Sequence, residues 1–478
     1  MNGRFSRSYS CRESRGGVVV VTKKELLMEI LFSYDVPLYI IKYTVLFWCV
    51  IEVLFALLLC YATETTLQKL SVPLKYDDCP VAIVTRMLNT MDKLKTYNLK
   101  IFLERWFCGA PLETIGFENM RHFLSWVMFA KLFADLSEDD VDDIDGVIYD
   151  IQRRLSHTFP SEFNPKISHV CMTLQPLHYI HRPLAIYLLL GIKNVFADMS
   201  LQALGYTRRR HRGVNYWYRP CPASAPQEHT PSVFFHGIST GWDNYLLLVN
   251  HLSSDRAIFL FDLDGVKSHS LNFVMPSPEV YADTVRQVLD KHAYTKVNLV
   301  GHSFGTITAA WFVKAHPAYV AHLTLIDPVS LLLHHPEVAF NFLYRPPGTI
   351  MEWAIYLAVS TEITIAHALR RNFWWYKNNL WLEDLDPSIG VHVSLAGGDE
   401  VCNSVTVHEY VTLCNEQRQQ QALRAERSEG GLAEISVCYR EGHSHAEVML
   451  CDVSLRKMAG NILGGQQRAY SAMKSLFQ

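Results

Sequence analysis

A chain of 478 residues is longer than one hydrophobic core usually fills, so more than one structural unit is expected. Its 44 Lys and Arg against 47 Asp and Glu give a formal net charge of -3, with no concentrated basic face of the kind a nucleic-acid backbone requires. The 11 cysteines are scattered, odd in number and never spaced Cys-x-x-Cys, so they read as ordinary buried thiols, and neither their spacing nor their density suggests a disulfide framework.

Residues 1–35 form a basic tail carrying Arg4, Arg7, Arg12, Arg15, Lys23 and Lys24. Residues 36–64 are expected to be a membrane-associated apolar helix, centred on the run from Tyr43 to Ala62. Eleven Leu, Ile, Phe and Val residues in that run favour insertion by roughly 3 to 7 kcal/mol, against about 3 kcal/mol for Glu52 near its middle. The same run also fits an interfacial helix, a buried helix of a larger helical unit or, together with the basic start, an organelle-targeting segment. The positive charge ahead of it would hold the amino end in the cytoplasm. Against this orientation, no Asn-x-Ser/Thr acceptor occurs anywhere in the chain, which favours a catalytic unit facing the cytosol.

From 65 to about 205 the periodicity is helical and glycine is sparse. Ser137 reads as a helix cap, and the acidic run Glu138 to Asp145 as a solvated helix face, since Val141 and Gln152 fall where calcium ligands would be needed. His178 and His181 sit at i, i+3 but lack further ligands, and read as surface histidines. The run Arg208 to Arg212 reads as a solvated linker, or as a contact for anionic headgroups.

After this boundary, strand-like and helix-like runs alternate. Strands are expected at Val214 to Arg219, Ser232 to Phe235, Ala257 to Asp262, Val297 to Val300, Leu323 to Ile326, Val391 to Leu395 and Ile435 to Tyr439. Their order predicts a mostly parallel sheet. Four features stand at strand ends: His236-Gly237-Ile238, the pentapeptide Gly301-His302-Ser303-Phe304-Gly305, the loop Gly397-Gly398-Asp399-Glu400, and Glu441-Gly442-His443. In this chain order they resemble the α/β-hydrolase family, over roughly residues 213 to 450.

The resemblance implies an α/β-hydrolase fold across 206–478, with a helical cap inserted at about 329–388. Ser303 would be the nucleophile on a strand-to-helix elbow shaped by Gly301 and Gly305, His443 its base, and Asp399 the acid that orients the base. Asp327 and Glu400 are rival acids, and His445 is a rival base. The backbone amides of Phe304 and Ile238 would stabilise an oxyanion, with His236 and Gly237 shaping that loop. The turn Asp264-Gly265-Val266-Lys267-Ser268 departs from the family's Gly-x-Gly-x-Ser.

The cap is rich in aromatics, namely Trp353, Phe373, Trp374, Trp375 and Trp381, which serve either as lid core or as an acyl-chain surface. This machinery suits a membrane-associated esterase or lipase acting on a small-molecule ester or lipid, with membrane lipid as partner. An acyltransferase or thioesterase using the same residues, and a non-catalytic binding protein on the same fold, are the alternatives. An epoxide hydrolase is disfavoured because those relatives carry Asp where Ser303 stands. No metal or organic cofactor is expected.

Overall fold

The structure is a computed structural model that describes residues 10–14, 17–21, 37–76, 78–223, 229–252, 255–268, 270–424 and 433–450. Most of the basic tail, including Arg4, Arg7, Arg15, Lys23 and Lys24, lies outside them. The chain divides at Thr65 into two compact units.

The first unit contains a hairpin of β1 (Ser10–Ser14) and β2 (Gly17–Val21) and the 26-residue helix α1 (Pro37–Ala62). At a rise of about 1.5 Å per residue α1 is long enough for a hydrocarbon core. Most of its apolar side chains, Ile40, Val45, Phe47 and Leu54 among them, are exposed.

The second unit is built around an eight-stranded sheet in the order β10-β9-β8-β7-β5-β6-β4-β3. Its strands are β3 (Thr207–His211), β4 (Val214–Arg219), β5 (Ser232–Phe235), β6 (Ile258–Phe261), β7 (Val297–His302), β8 (Val320–Ile326), β9 (Gly390–Ala396) and β10 (Ile435–Arg440). From β10 to β6 neighbours run parallel, and β4 and β3 add an antiparallel edge. Strands β5 to β9 are buried along their whole length, which suits their largely apolar sequences, although β7, β8 and β9 also bury Asn298, His322, Thr324, His392 and Ser394. The expected arginine-rich linker is in fact β3. It closes onto β4 through a two-residue loop in which Arg212 and Gly213 both have positive φ, 46° and 86°, the geometry that matches the twist of a hairpin.

Ahead of the sheet lie α2 (Pro80–Met91), α3 (Leu99–Trp106), α4 (Phe117–Phe129), α5 (Glu138–Leu155) and α6 (Leu184–Ala203). Ser137 caps α5 as expected, accepting from the Asp140 amide at 3.2 Å, and Ile144, Val147, Ile148 and Ile151 form its buried stripe. His178 and His181 lie in an irregular segment before α6, not on a helix, so the expected helical spacing does not hold.

Within the sheet domain α7 (Leu246–Leu252), α8 (Pro278–Lys291) and α9 (Gly305–Ala315) follow β5, β6 and β7. The cap contains α10 (Pro336–Leu343), α11 (Ile350–Ile355), a π-helical turn (Tyr356–Ser360), α12 (Ile363–Arg371) and α13 (Trp375–Asn378), and α14 (Ser404–Arg424) precedes β10.

The helical region and the cap share polar contacts as well as one apolar core. Trp375 Nε1 donates to the Val127 carbonyl at 3.1 Å, Arg371 Nη1 to the Gln175 carbonyl at 3.0 Å, and Arg86 grips Asp384 through two bonds of 2.7 and 2.8 Å. Two-pronged guanidinium contacts of this kind fix orientation as well as distance. The cap is thereby tied to the helical region at three points.

Candidate active site

Ser303 stands between β7 and α9 with φ +51°, a left-handed conformation that costs a non-glycine residue energy and marks a strained turn. The strain is held by its surroundings: the Ser303 amide donates to the Ile326 carbonyl at 2.9 Å, and its carbonyl accepts from the Thr306 amide and hydroxyl. The elbow glycines are required by close backbone crossings. A Cβ on Gly305 would lie 2.0 Å from the Phe235 carbonyl oxygen, and one on Gly301 would lie 2.6 Å from the Gly305 oxygen. Gly237 is as tight, because a Cβ there would meet Ser303 Cβ at 2.9 Å.

The imidazole that reaches Ser303 is His445, with Nε2 2.9 Å from Ser303 Oγ and Nδ1 2.7 Å from Asp399 Oδ2. His443, the expected base, is not there. Its Nδ1 lies 3.3 Å from the Glu441 carbonyl and its own carbonyl accepts from the Gly398 amide at 2.8 Å, so its ring stays with its own turn. The turn at Gly442 (φ 73°) and the left-handed Ala446 (φ 63°) bring the second histidine inward instead of the first. Among the described residues His443 bonds neither Ser303 nor Asp399.

Asp399 is held by three donors, since its Oδ1 accepts from the amides of Val401 and Cys402, each at 2.8 Å. Burial pushes this carboxyl up, but the His445 charge and these hydrogen bonds overcome it and hold Asp399 below the usual carboxylate range. Burial likewise pulls His445 down, yet Asp399 more than compensates, with Asp327 and Glu400 adding, and His445 is pushed up to about 9.

Asp327 and Glu400 bond other groups. Asp327 ties three strand ends together, accepting from the Ala396 amide, the Ala446 amide and Arg440 Nη2 at 2.9, 3.1 and 2.8 Å. Glu400 Oε2 accepts from the His445 amide at 3.0 Å.

The loop after β5 is fixed by groups the motif does not reveal. His236 Nδ1 donates to the Gly237 carbonyl at 2.7 Å while its Nε2 accepts from the Leu263 amide at 3.1 Å. Burial pushes this imidazole down to about 4, which keeps it neutral for both roles. The Gly237 amide donates to Tyr245 Oη at 2.8 Å, and Tyr245 Oη reaches His302 Nδ1 at 3.0 Å.

Gly237 is therefore committed to the protein, whereas the amides of Phe304 and Ile238 have no acceptor among the described residues. Two free amides beside a serine hydroxyl can stabilise charge developing on a carbonyl oxygen. The divergent turn after β6 is pinned to the same loop: Ser268 N donates to the Ser239 carbonyl at 3.0 Å, and Lys267 Nζ reaches the buried Asp262 at 2.7 Å. Tyr245, Asp262 and Arg440 could be found only from the fold, because nothing in their sequence neighbourhood marks them.

Donor atoms of Asp399, Cys402 and His445 lie within 4.8 Å of one another. They do not fit a cation: both Asp399 oxygens are engaged, and Cys402 is a thiol whose Sγ contacts the Pro328 carbonyl at 3.5 Å and which burial and the Asp399 charge push well up. In the cap, Phe373 and Trp374 are buried and Phe373 packs 6.2 Å (ring centroids) from Phe304, whereas Trp353 is half exposed.

Residues 231–379 match the family model described as alpha/beta hydrolase fold. Similar curated proteins include the abhydrolase domain-containing protein abhd-5.2 of Caenorhabditis elegans, 32% identical over 113 residues, which are 23% of this chain and 26% of that protein. The 1-acylglycerol-3-phosphate O-acyltransferase ABHD5 of Rattus norvegicus is 31% identical over 103 residues, covering 21% and 29%. The (lyso)-N-acylphosphatidylethanolamine lipase of Bos taurus is 29% identical over 106 residues, covering 21% and 31%. The matches thus span less than a third of these relatives' lengths. A bacterial membrane phospholipase A structure aligns with a TM-score of 0.38 at 16% identity, covering 59% of this chain and 96% of that one. The strand order from β3 to β10 and the elbow at Ser303 give this part of the chain an alpha/beta hydrolase fold, and its residues 231–379 are similar to the family of that description.

Proposed function

We propose that this protein is a membrane-associated serine hydrolase that cleaves a lipid or other carboxylic ester through an acyl-enzyme. The observation that carries the reading is the continuous chain from Ser303 Oγ to His445 Nε2 at 2.9 Å and from His445 Nδ1 to Asp399 at 2.7 Å. In the reaction, Ser303 Oγ attacks the ester carbonyl carbon while His445 Nε2 takes the hydroxyl proton. The oxyanion is stabilised by the Phe304 and Ile238 amides, each worth about 3 to 4 kcal/mol in comparable sites. As the tetrahedral adduct collapses, the ester C–O bond breaks and His445 returns the proton to the leaving alcohol. Water, deprotonated by His445, then attacks the acyl-enzyme and releases the acid and free Ser303.

Helix α1 attaches the chain to a bilayer, by spanning it or by lying in its interface, and the cap covers the site. A lipid ester is supported by this apolar helix and by relatives whose names specify lipid substrates. The second reading, acyl transfer to an alcohol in place of water, is favoured by the relative named as an acyltransferase.

A fluorophosphonate probe should label the full chain and fail on Ser303→Ala; equal labelling of both would overturn the reading. Supplying glycerol with a vesicle-borne ester separates the two acceptors: free acid as the main product supports hydrolysis, and acylated glycerol as the main product supports transfer.

A further inference from the structure

Helix α6 (Leu184–Ala203) has two apolar faces, and only one of them is used. Ala197 and Leu201 are buried against the sheet and Tyr187 is buried with its hydroxyl donating to Glu362 of the cap at 3.2 Å, whereas Leu188, Leu189, Ile192, Val195, Phe196 and Met199 are 49–64% exposed. At 3.6 residues per turn the positions 188, 192, 195, 196 and 199 fall on one stripe, opposite the buried one. A contiguous exposed apolar surface of this kind marks an interaction site.

The polar contacts of α6 lead to the candidate active site. Asn194 Nδ2 donates to the Thr240 carbonyl at 2.9 Å and Lys193 Nζ to Thr240 Oγ1 at 2.6 Å, two residues beyond Ile238. Gly241 is so close that a Cβ there would lie 1.8 Å from Asn194 Oδ1. At the other end, Arg182 Nε donates to the Leu357 carbonyl at 3.0 Å and the Ile180 amide to the Thr361 carbonyl at 2.9 Å, which ties the start of α6 to the cap. There Ile350, Trp353 and Leu357 are exposed on successive turns. Beneath them a groove lined by Ile355, Tyr356, Ser360, Glu400 and Val401 reaches the loop whose Glu400 holds the His445 amide.

The geometry points to the exposed stripe of α6, together with the exposed edge of α11 and the π-helical turn, as a bilayer-docking surface that sets the mouth of the site against lipid. Charge complementarity selects a bilayer with anionic headgroups as the occupant. Arg208 in β3 pairs with Asp198 in the C-terminal part of α6, and Arg210 and Arg212, two and four residues further along the chain, are exposed. Basic side chains flanking an apolar face are what such a membrane attracts. The stripe itself carries no hydrogen-bonding group with which a protein partner could set its register. Helix α6 lies on the surface and does not span the bilayer, because its other face is committed to the domain. This surface is distinct from α1, and its detection needs no turnover, so it stands or falls separately from the proposed reaction.

The test is a photo-crosslinking amino acid at Phe196 of the full-length chain, reconstituted in phosphatidylcholine–phosphatidylserine vesicles, with the exposed Tyr149 of α5 as the control position. A phospholipid adduct at 196 well above that at 149 is expected. Adducts no more frequent than the control, or a cross-linked second copy of the chain, would overturn the inference. In parallel, Ile192→Glu and Phe196→Glu should lower turnover of a vesicle-borne ester about tenfold and leave a water-soluble short-chain ester within about twofold, as expected for exposed positions. Equal losses on both substrates would refute a docking role.

Discussion

Replacing Asp399 by asparagine removes one charge and leaves the shape of its loop nearly intact. The distance between the ordinary histidine value of 6.5 and the value of about 9 for His445 corresponds to about 3 kcal/mol in favour of the imidazolium. Asp399 supplies the largest favourable share, against burial, which acts the other way. The same imidazolium forms when His445 takes the Ser303 proton, so the loss of this stabilisation alone should lower kcat by about two orders of magnitude. Loss of the correct tautomer adds to it, and comparable substitutions elsewhere reach about four.

The sign with pH follows from His445 having to be neutral to act as base. Wild-type activity should rise through an acid limb lying above the ordinary histidine range. In Asp399→Asn that limb should move to lower pH, to about 6.5 or below, while the plateau falls. The assay is kcat/KM on a water-soluble chromogenic ester across the pH range, with the His445 ring resonances titrated by NMR. A plateau within about threefold of wild type, with the limb unmoved, would refute the role given to Asp399.

Tyr245→Phe removes the acceptor of the Gly237 amide and the contact to His302, and should lower kcat about tenfold with KM nearly unchanged, because it loosens the loop that presents the Ile238 amide; an unchanged kcat would contradict this. Asp327→Asn leaves Arg440 without its carboxylate at a position of zero exposure, and should cost about 3 to 5 kcal/mol of stability in urea unfolding. Gly305→Ala forces a Cβ onto the Phe235 carbonyl and should abolish folding, whereas Gly442→Ala, with φ 73° and open space around its Cβ, should cost only about 1 kcal/mol. Similar melting temperatures for the two alanine variants would show that the elbow tolerates more than its geometry implies.

The turn at Ser303, the mostly parallel sheet and the position of Asp399 in the loop after β9 were legible because each depends on local chemistry: a turn residue, an apolar run, a carboxylate after a strand. The choice between His443 and His445 was not, since both follow β10 and only the turn at Gly442 and the pairing of the His443 carbonyl with Gly398 decide which ring faces Ser303. Strand β3 was missed because a run of arginines has little strand propensity; its signal was Arg212-Gly213, a two-residue hairpin loop. The docking stripe of α6 was hidden by Lys193 and Asp198, which interrupt its apolar pattern and are absorbed by Asp243 and Arg208 in the fold. Tyr245 and Arg440 act across long sequence separations that no motif encodes.

Ser303, His445 and Asp399 are proposed to act as one unit. The most direct test is kcat on a soluble ester for His445→Gln beside His443→Gln, in chains of matched thermal stability. His445→Gln should fall by about a thousandfold or more while His443→Gln stays within about threefold. A collapse of activity in His443→Gln with His445→Gln still active would contradict this.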